Sequence, residues 1–239
     1  LIVEKTEAKF VLIPENYESS IPLLAGNCKE INVEPDMQLE IPSSWTSFDD
    51  YLEAISSKYK KRYRSVLKKS AVLDKRALSP SDLKRESVSM KRLFHNVFSK
   101  SKFNAAKFNT DVFYDLKLVK ENVSVFGYYY EDKLIGFASE IAIDGILYAH
   151  FVGIDYRYNN TFEIYNRMLY EQIRFAIEHK LSLIKFGRTA SEFKSTIGAT
   201  PHKGYGYIYH PCKTIIKAAS PILSLLKPKD WTQRHPFKS

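Results

Sequence analysis

The stretch "VSVFGYYYEDKLIGFASEIAIDGILYAHFVGID", residues 123–155, decides the fold. Three apolar or alternating runs, 123–130, 133–144 and 146–155, are separated only by Glu131-Asp132 and Asp144-Gly145. Two-residue connections of acidic residues and glycine suit tight hairpin turns, so the runs predict an antiparallel meander.

Outward from the meander, apolar residues recur at helical steps. On the C-terminal side the pattern spans Phe162 to His179 through Ile164, Met168, Leu169, Ile173 and Ile177. A short strand at 182–186, a short helix "SEFKSTIG" closed by Gly198, and a final strand "GYGYIYH" at 204–210 follow. On the N-terminal side a helix is expected from Asp82 to about Lys100, its buried stripe formed by Val88, Leu93, Phe94, Val97 and Phe98. A second runs from Thr110 to Val119, with Phe113, Leu116 and Val119 facing one way. With a short strand near 71–78, the order over 70–212 is β, α, α, β, β, β, α, β, α, β.

Upstream, residues 8–13 and 37–41 read as short strands, and "SFDDYLEAISSKYKKRYRSVLKKS" reads as one long helix. Ser47 is its expected N-cap, Asp49 and Asp50 lie where the helix dipole favours acids, and an apolar stripe from Phe48 persists to Leu67. After Pro211, "KTIIKAASPILSLL" reads as an amphipathic helix broken by Pro221, expected to pack on the parent domain. Three segments follow: an N-terminal extension with the basic helix (1–69), a mixed α/β domain (70–212), and a C-terminal helix and tail (213–239).

The chain has 239 residues and a net charge of +9. Residues 1–57 carry 3 Lys/Arg against 11 Asp/Glu, residues 58–107 carry 16 against 3, and the remainder 17 against 13. The basic excess therefore sits in one segment, where it favours an anionic partner such as nucleic acid, an acyl-carrier protein or an anionic surface, or serves as a solvated face. Lys58, Lys60, Lys61, Arg62, Arg64, Lys68 and Lys69 carry it, and Tyr59 and Tyr63 between them belong to the apolar stripe. No stretch approaches the roughly 20 apolar residues of a bilayer span, and no secretory signal series opens the chain. Cys28 and Cys212 match no metal-ligand or redox spacing, so no metal is expected, and reduced thiols fit a cytoplasmic address. The chain begins at Leu1, and a piece of a longer protein is expected.

Candidate site residues cluster at the strand ends. Arg188, in the turn after a strand, is placed to grip a carboxylate or phosphate with its planar fork. Ser191 is the expected N-cap of the short helix and Glu192 its first-turn acid, while Lys194 in the same turn opposes the dipole. Tyr128, Tyr130, Glu140, Tyr148 and His150 are polar groups in apolar text, with Tyr148 and His150 on one strand face by the period of two. His150 suits a general base near neutral pH, or a hydrogen-bonded core role. Tyr207 and Tyr209 are further rim candidates.

This succession resembles the GNAT acyltransferase fold, a mixed, mainly antiparallel twisted sheet flanked by helices. "FVGID" followed by a helix, then "IKFGRTASEFKSTIGA", looks like the branch of FemABX-like aminoacyl transferases and BioF2-like acetyltransferases. The resemblance implies transfer of an acyl group from acyl-CoA to an amine-bearing small molecule or peptide by direct attack, or from aminoacyl-tRNA in cell-wall peptide synthesis. A catalytically inactive binding module is the remaining possibility. It implies that the backbone of Val152, Gly153 and Ile154 holds the donor, and that Arg157, Asn159 and Asn160 form its phosphate turn, with Phe162 where the family has Gly or Ala. A cleft between the strands near Val125 and Ile154, open to Arg188 and Lys194, is expected. By the same resemblance Phe193-Lys194 matches an anchor whose Lys stabilises charge in the transferring acyl group, and an upstream unit would complete the acceptor site.

Overall fold

The computed structural model describes residues 10–16, 27–100, 108–224 and 230–238. The expected meander is present: β5 (Val123–Tyr130), β6 (Lys133–Ile143) and β7 (Ile146–Ile154) pair antiparallel in sequence order. Positive φ at Glu131 and Asp132, and at Asp144 and Gly145, gives both connections the twist that hairpins need. β4 (Asp74–Ala77) extends the meander on one side. On the other, β8 (Leu183–Lys185) pairs parallel with β7, β3 (Asp36–Glu40) pairs antiparallel with β8, and β9 (Thr200–His202) closes the row. The large sheet thus runs β4-β5-β6-β7-β8-β3-β9, and a separate three-stranded sheet runs β1-β10-β2. Its members are Val11–Asn16, Tyr205–Tyr209 and Cys28–Ile31; the expected positions 8 and 9 of the first strand lie outside the described residues.

Helices cover both faces of the large sheet. On one face α1 (Phe48–Ala54), α2 (Ser57–Ser70) and α7 (Ile164–Glu178) enclose a core with Tyr51, Ile55, Val66, Leu147, Ile173 and Ile184. On the other, α3 (Pro80–Arg85), α4 (Ser87–Lys100) and α5 (Val112–Val119) pack Leu93, Phe94 and Phe113 onto Val125, Tyr129 and Phe137. Each such fully buried side chain contributes about 1.5–3 kcal/mol relative to exposure.

Several boundaries differ from the sequence reading. The long helix at 48–67 is two helices, because Ile55 takes an extended conformation and bridges Phe237, with Ser56 N–H donating to Pro236 O. A tail far away in sequence thus supplies the partner that makes the break stable. The helix expected from Asp82 is also two, and Val88 is exposed because it lies in the first turn of α4, off the face that meets the sheet. Val119 is likewise exposed at the last turn of α5. The final helix, α9 (Lys213–Leu223), continues through Pro221.

Candidate functional site

β7 and β8 share only three paired positions, Ile146–Tyr148 against 183–185, so residues 149–154 diverge from β8. β8's continuation turns to β3 instead, Phe186 N–H donating to Met37 O and Met37 N–H to Gly187 O. The strands therefore splay beyond Tyr148.

The chain leaves β7 through Asp155 into α6 (Tyr156–Phe162), and Glu163 in a left-handed conformation (φ 50°) joins α6 to α7. The expected phosphate turn at 157–162 is thus a helix. Asp155 caps it, accepting from Arg157 N–H at 3.2 Å. The Arg157 side chain closes on the same carboxylate, Nε to Oδ1 at 2.9 Å and Nη2 to Oδ2 at 2.6 Å. These bonds hold the Asp155 carboxyl down at about 2, aided by Arg92 and opposed by burial. Arg157 is consumed by its own cap. Phe162 packs on Tyr130 (ring centroids 4.9 Å) and Tyr158 (6.1 Å).

Among the proposed donor residues, Val152 and Ile154 pack in the core under α7, and a Cβ on Gly153 would lie 2.1 Å from Phe137. The Ile154 carbonyl accepts from Asn96 Nδ2 at 3.1 Å. Asn159 and Asn160, by contrast, border an open cavity of about 720 Å³, facing Lys58, Lys61 and Arg62 of α2 and Asn166 of α7. Asn159 Oδ1 also accepts from Tyr165 N–H at 3.0 Å, fixing the α6–α7 junction.

A second cavity of about 530 Å³ adjoins the first through Lys58 and Arg62 and is bordered by Glu192, Phe193, Thr196 and Arg234. The Arg62 guanidinium lies 4.6 Å from the Phe193 ring centroid. Together the two cavities form one groove between α2, the α6–α7 junction and α8 (Ser191–Ser195). No ion pair to Lys58, Lys61 or Arg62 occurs among the described residues. The lining is polar and carries four cations, Lys58, Lys61, Arg62 and Arg234, against two carboxylates, Glu163 and Glu192, and this excess suits an anionic, phosphate-bearing ligand better than an apolar one.

Lys194 lies outside this groove. It is 3% exposed, and its Nζ donates to Phe186 O (2.6 Å) and Gly187 O (3.0 Å). Burial pushes the ammonium down to about 7, partly offset by Asp36 and Glu34. α8 is only five residues long, so Lys194 stands one residue from its C-terminal end, and the opposition to the dipole disappears. The N-cap is Ala190 (φ 58°) rather than Ser191, whose Oγ donates to Arg188 O. Arg188 is half-buried in the turn between β8 and α8, and neither cavity includes it. Neither cavity corresponds to the cleft expected between the strands and open to Arg188 and Lys194.

Tyr148 and His150 lie on the opposite sheet face, toward α4 and α5. A bulge in β7 opposite Ser139 puts His150 and Phe151 side by side, ring centroids 4.2 Å apart, with Ser139 Oγ bonding both Phe151 N–H and O. Phe108 and Phe113 flank His150, and this apolar surrounding lowers its pKa. Lys185 Nζ stands 5.5 Å from the Tyr148 ring.

Tyr128 is fully buried beneath α7 with Glu140 and Gln172. Desolvation pushes the Glu140 carboxyl up to about 7, Lys75 opposing and Glu171 reinforcing. Glu140 Oε2 and Gln172 Oε1 both lack a partner. Tyr207 and Tyr209 belong to the three-stranded sheet. Among the expected residues, the groove therefore gathers Asn159, Asn160, Glu192 and Phe193 with Lys58, Lys61 and Arg62 of the basic helix, while Arg188, Lys194, Tyr128, Tyr148 and His150 do not line it. The reading missed Arg234, which had no motif around it.

Comparison with known proteins bears on this arrangement. The model of a FemAB-like family, described as peptidoglycan biosynthesis/recognition, matches residues 33–220, more than half of the chain. No curated protein sequence matches significantly. Among solved structures, FemX is similar at 12% identity over 92% of this chain and 76% of that one, with a TM-score of 0.55. The C-terminal domain of a putative lysylphosphatidylglycerol synthetase from Agrobacterium fabrum is similar at 10% identity over 84% and 69%, TM-score 0.53. An aminoglycoside acetyltransferase from an uncultured soil metagenomic sample aligns at 19% identity over 48% and 76%, TM-score 0.38. The mixed, mainly antiparallel sheet flanked by helices is the fold shared with FemX and with the synthetase domain.

Proposed function

The chain belongs to the FemAB-like family, and on that premise we propose that it is an acyltransferase which moves an acyl group from a phosphate-bearing carrier to an amine. The observation that carries the reading is the groove, where Lys58, Lys61 and Arg62 face Asn159, Asn160, Glu163 and Asn166. Carrier phosphates would lie against the α2 cations, with the asparagine amides donating from the other wall. The acyl end would point toward Phe193 and the β7–β8 divergence. The acceptor amine adds to the acyl carbonyl carbon, the oxyanion collapses, and the bond to the carrier breaks as the carrier's leaving atom takes up the proton that the amine gives up. Such a reaction needs alignment and charge stabilisation more than a covalent nucleophile.

Of the two donors the resemblance implies, the α6 helix favours aminoacyl-tRNA over acyl-CoA. A CoA-type turn offers unpaired amides close to the pyrophosphate, whereas here Asp155 already occupies the Arg157 amide and Phe162 stands packed at the close-approach position. The groove is also open and basic, as a large polyanion requires. The family description, peptidoglycan biosynthesis/recognition, supports reading the amine acceptor as part of a cell-wall precursor.

A thermal-shift screen against acetyl-CoA, longer acyl-CoAs and aminoacyl-tRNA tests this, since a ligand of the folded state raises its stability. Stabilisation by aminoacyl-tRNA that is lost in Lys58→Ala/Lys61→Ala/Arg62→Ala is the expected result. Stabilisation by acyl-CoA instead would overturn the choice of donor, and no response from any donor would overturn the transferase reading.

A further inference from the structure

The family match ends at residue 220, yet residues 230–238 are stitched into the site. Ser56 N–H donates to Pro236 O at 2.8 Å and Lys238 N–H to Ala54 O at 2.9 Å, so the tail fills the break between α1 and α2. Phe237 seats beside Trp45 and Tyr51 and against Gly198, where an added Cβ would lie 2.4 Å from the ring. Gly198 has φ +100°, so glycine is required there twice over, by conformation and by the approach of the ring. Arg234 N–H then donates to Ser195 Oγ at 3.0 Å, and Gln233 Nε2 to Ala199 O at 3.2 Å. The tail is held at both α8 and the α1–α2 break.

This anchoring delivers the Arg234 side chain to the second cavity, opposite Lys58 and Arg62. Its Nη2 contacts Glu192 Oε1, and its side chain remains 44% exposed. Three cations there face one carboxylate, Glu192, which leaves positive charge in excess. A guanidinium has five donors, and the contact with Glu192 engages Nη2 alone.

We infer that the C-terminal tail is a working wall of the groove, and that Arg234 completes with Lys58 and Arg62 a subsite for a phosphate-type oxyanion of the substrate. This rests on reading the groove as the substrate site. Glu192 is then an internal competitor that keeps Arg234 aimed at the cavity until an oxyanion displaces it. A purely structural ion pair between α8 and the tail would behave differently when either partner is neutralised.

The test is calorimetric titration of the full chain with inorganic pyrophosphate at fixed low ionic strength, with thermal melts confirming that each variant folds. Arg234→Ala should weaken binding about tenfold, as should Arg62→Ala. Glu192→Gln should tighten it severalfold, because the competing carboxylate is gone. Arg76→Ala, on the distant β4, should leave it unchanged. Wild-type affinity in Arg234→Ala with weakened binding in Arg62→Ala would remove the tail from the site while leaving the groove. Weakening by Glu192→Gln to the level of Arg234→Ala would show a structural pair and overturn the inference. No binding to the wild-type chain, or indifference to Arg62→Ala, would overturn the reading of the groove and this subsite with it.

Discussion

Two regions of the molecule carry dense charge and use it in opposite ways. The turns after β7 and β8, which hold the family-like motifs, spend their charges internally: Arg157 closes on Asp155, and Lys194 caps the carbonyls of Phe186 and Gly187. The α2 wall instead turns Lys58, Lys61 and Arg62 toward the cavities. Arg157 and Lys194 here serve the frame, and the groove's cations come from α2 and from the tail that the frame brings near.

The strongest way to break this contrast is Lys194→Ala, which leaves two carbonyls without their donor and a buried void. A loss of order 3 kcal/mol in urea unfolding is expected. Lys194→Met, keeping most of the volume, should lose less and should change the pH profile. The folded ammonium titrates at about 7 against 10.5 for an ordinary lysine. Between those values the unfolded chain binds the proton that the folded chain gives up, so wild-type stability gains with rising pH over that window and the Met variant should not. A Met variant of wild-type stability and profile that abolishes acyl transfer would move Lys194 into the reacting site.

Next in size is the groove wall. Lys58→Ala/Lys61→Ala/Arg62→Ala should lower affinity for a polyanionic ligand on the order of a hundredfold at low salt and flatten its salt dependence. Its stability should stay within about 1 kcal/mol of wild type, since none of the three joins an ion pair among the described residues. A large stability loss would place these cations with the frame.

A smaller effect is expected beneath the sheet. Glu140→Gln should stabilise by about 1–2 kcal/mol above pH 7, because the amide avoids a buried charge and offers a donor near the orphaned Gln172 Oε1. The folded carboxyl titrates at about 7 and the unfolded one at 4.5, so wild-type stability falls as pH rises between them. The variant should be flat there, and an unchanged slope in denaturant titrations would exclude Glu140 as its source.

The mildest test is Asp155→Ala, for which loss of the cap costs about 1 kcal/mol. Since the carboxyl titrates at about 2 rather than 3.8, its contribution is present above 3.8 and lost as pH falls toward 2. Acid unfolding of the variant should begin at higher pH than in wild type.

The meander was legible because alternation and two-residue turns are local properties, and both connections carry the φ values their residues suggest. The order of elements followed from the same local patterns. The break at Ile55 was not legible, since what stabilises it is Phe237, and no local pattern links positions so far apart. The position of Lys194 in its helix was not legible either: the dipole argument depends on helix length, and α8 is only five residues long. The groove joins residues 58–62 to residues 159–166, 192–196 and Arg234, so only tertiary packing reveals it.

One feature of the sheet bears on how the protein comes to be made. β3, early in the chain, lies between β8 and β9, so Met37 pairs with Pro201 and Leu39 with Ile184. Closing a loop of that length is entropically costly and slow, whereas the β5–β6–β7 meander needs only hairpins. Assembly should therefore start at the meander and finish when β3 inserts, bringing α1 and α2 down with it. The wall that holds the groove's cations is then the last part to be built, and in hydrogen exchange β3 and α2 should open together before the meander does.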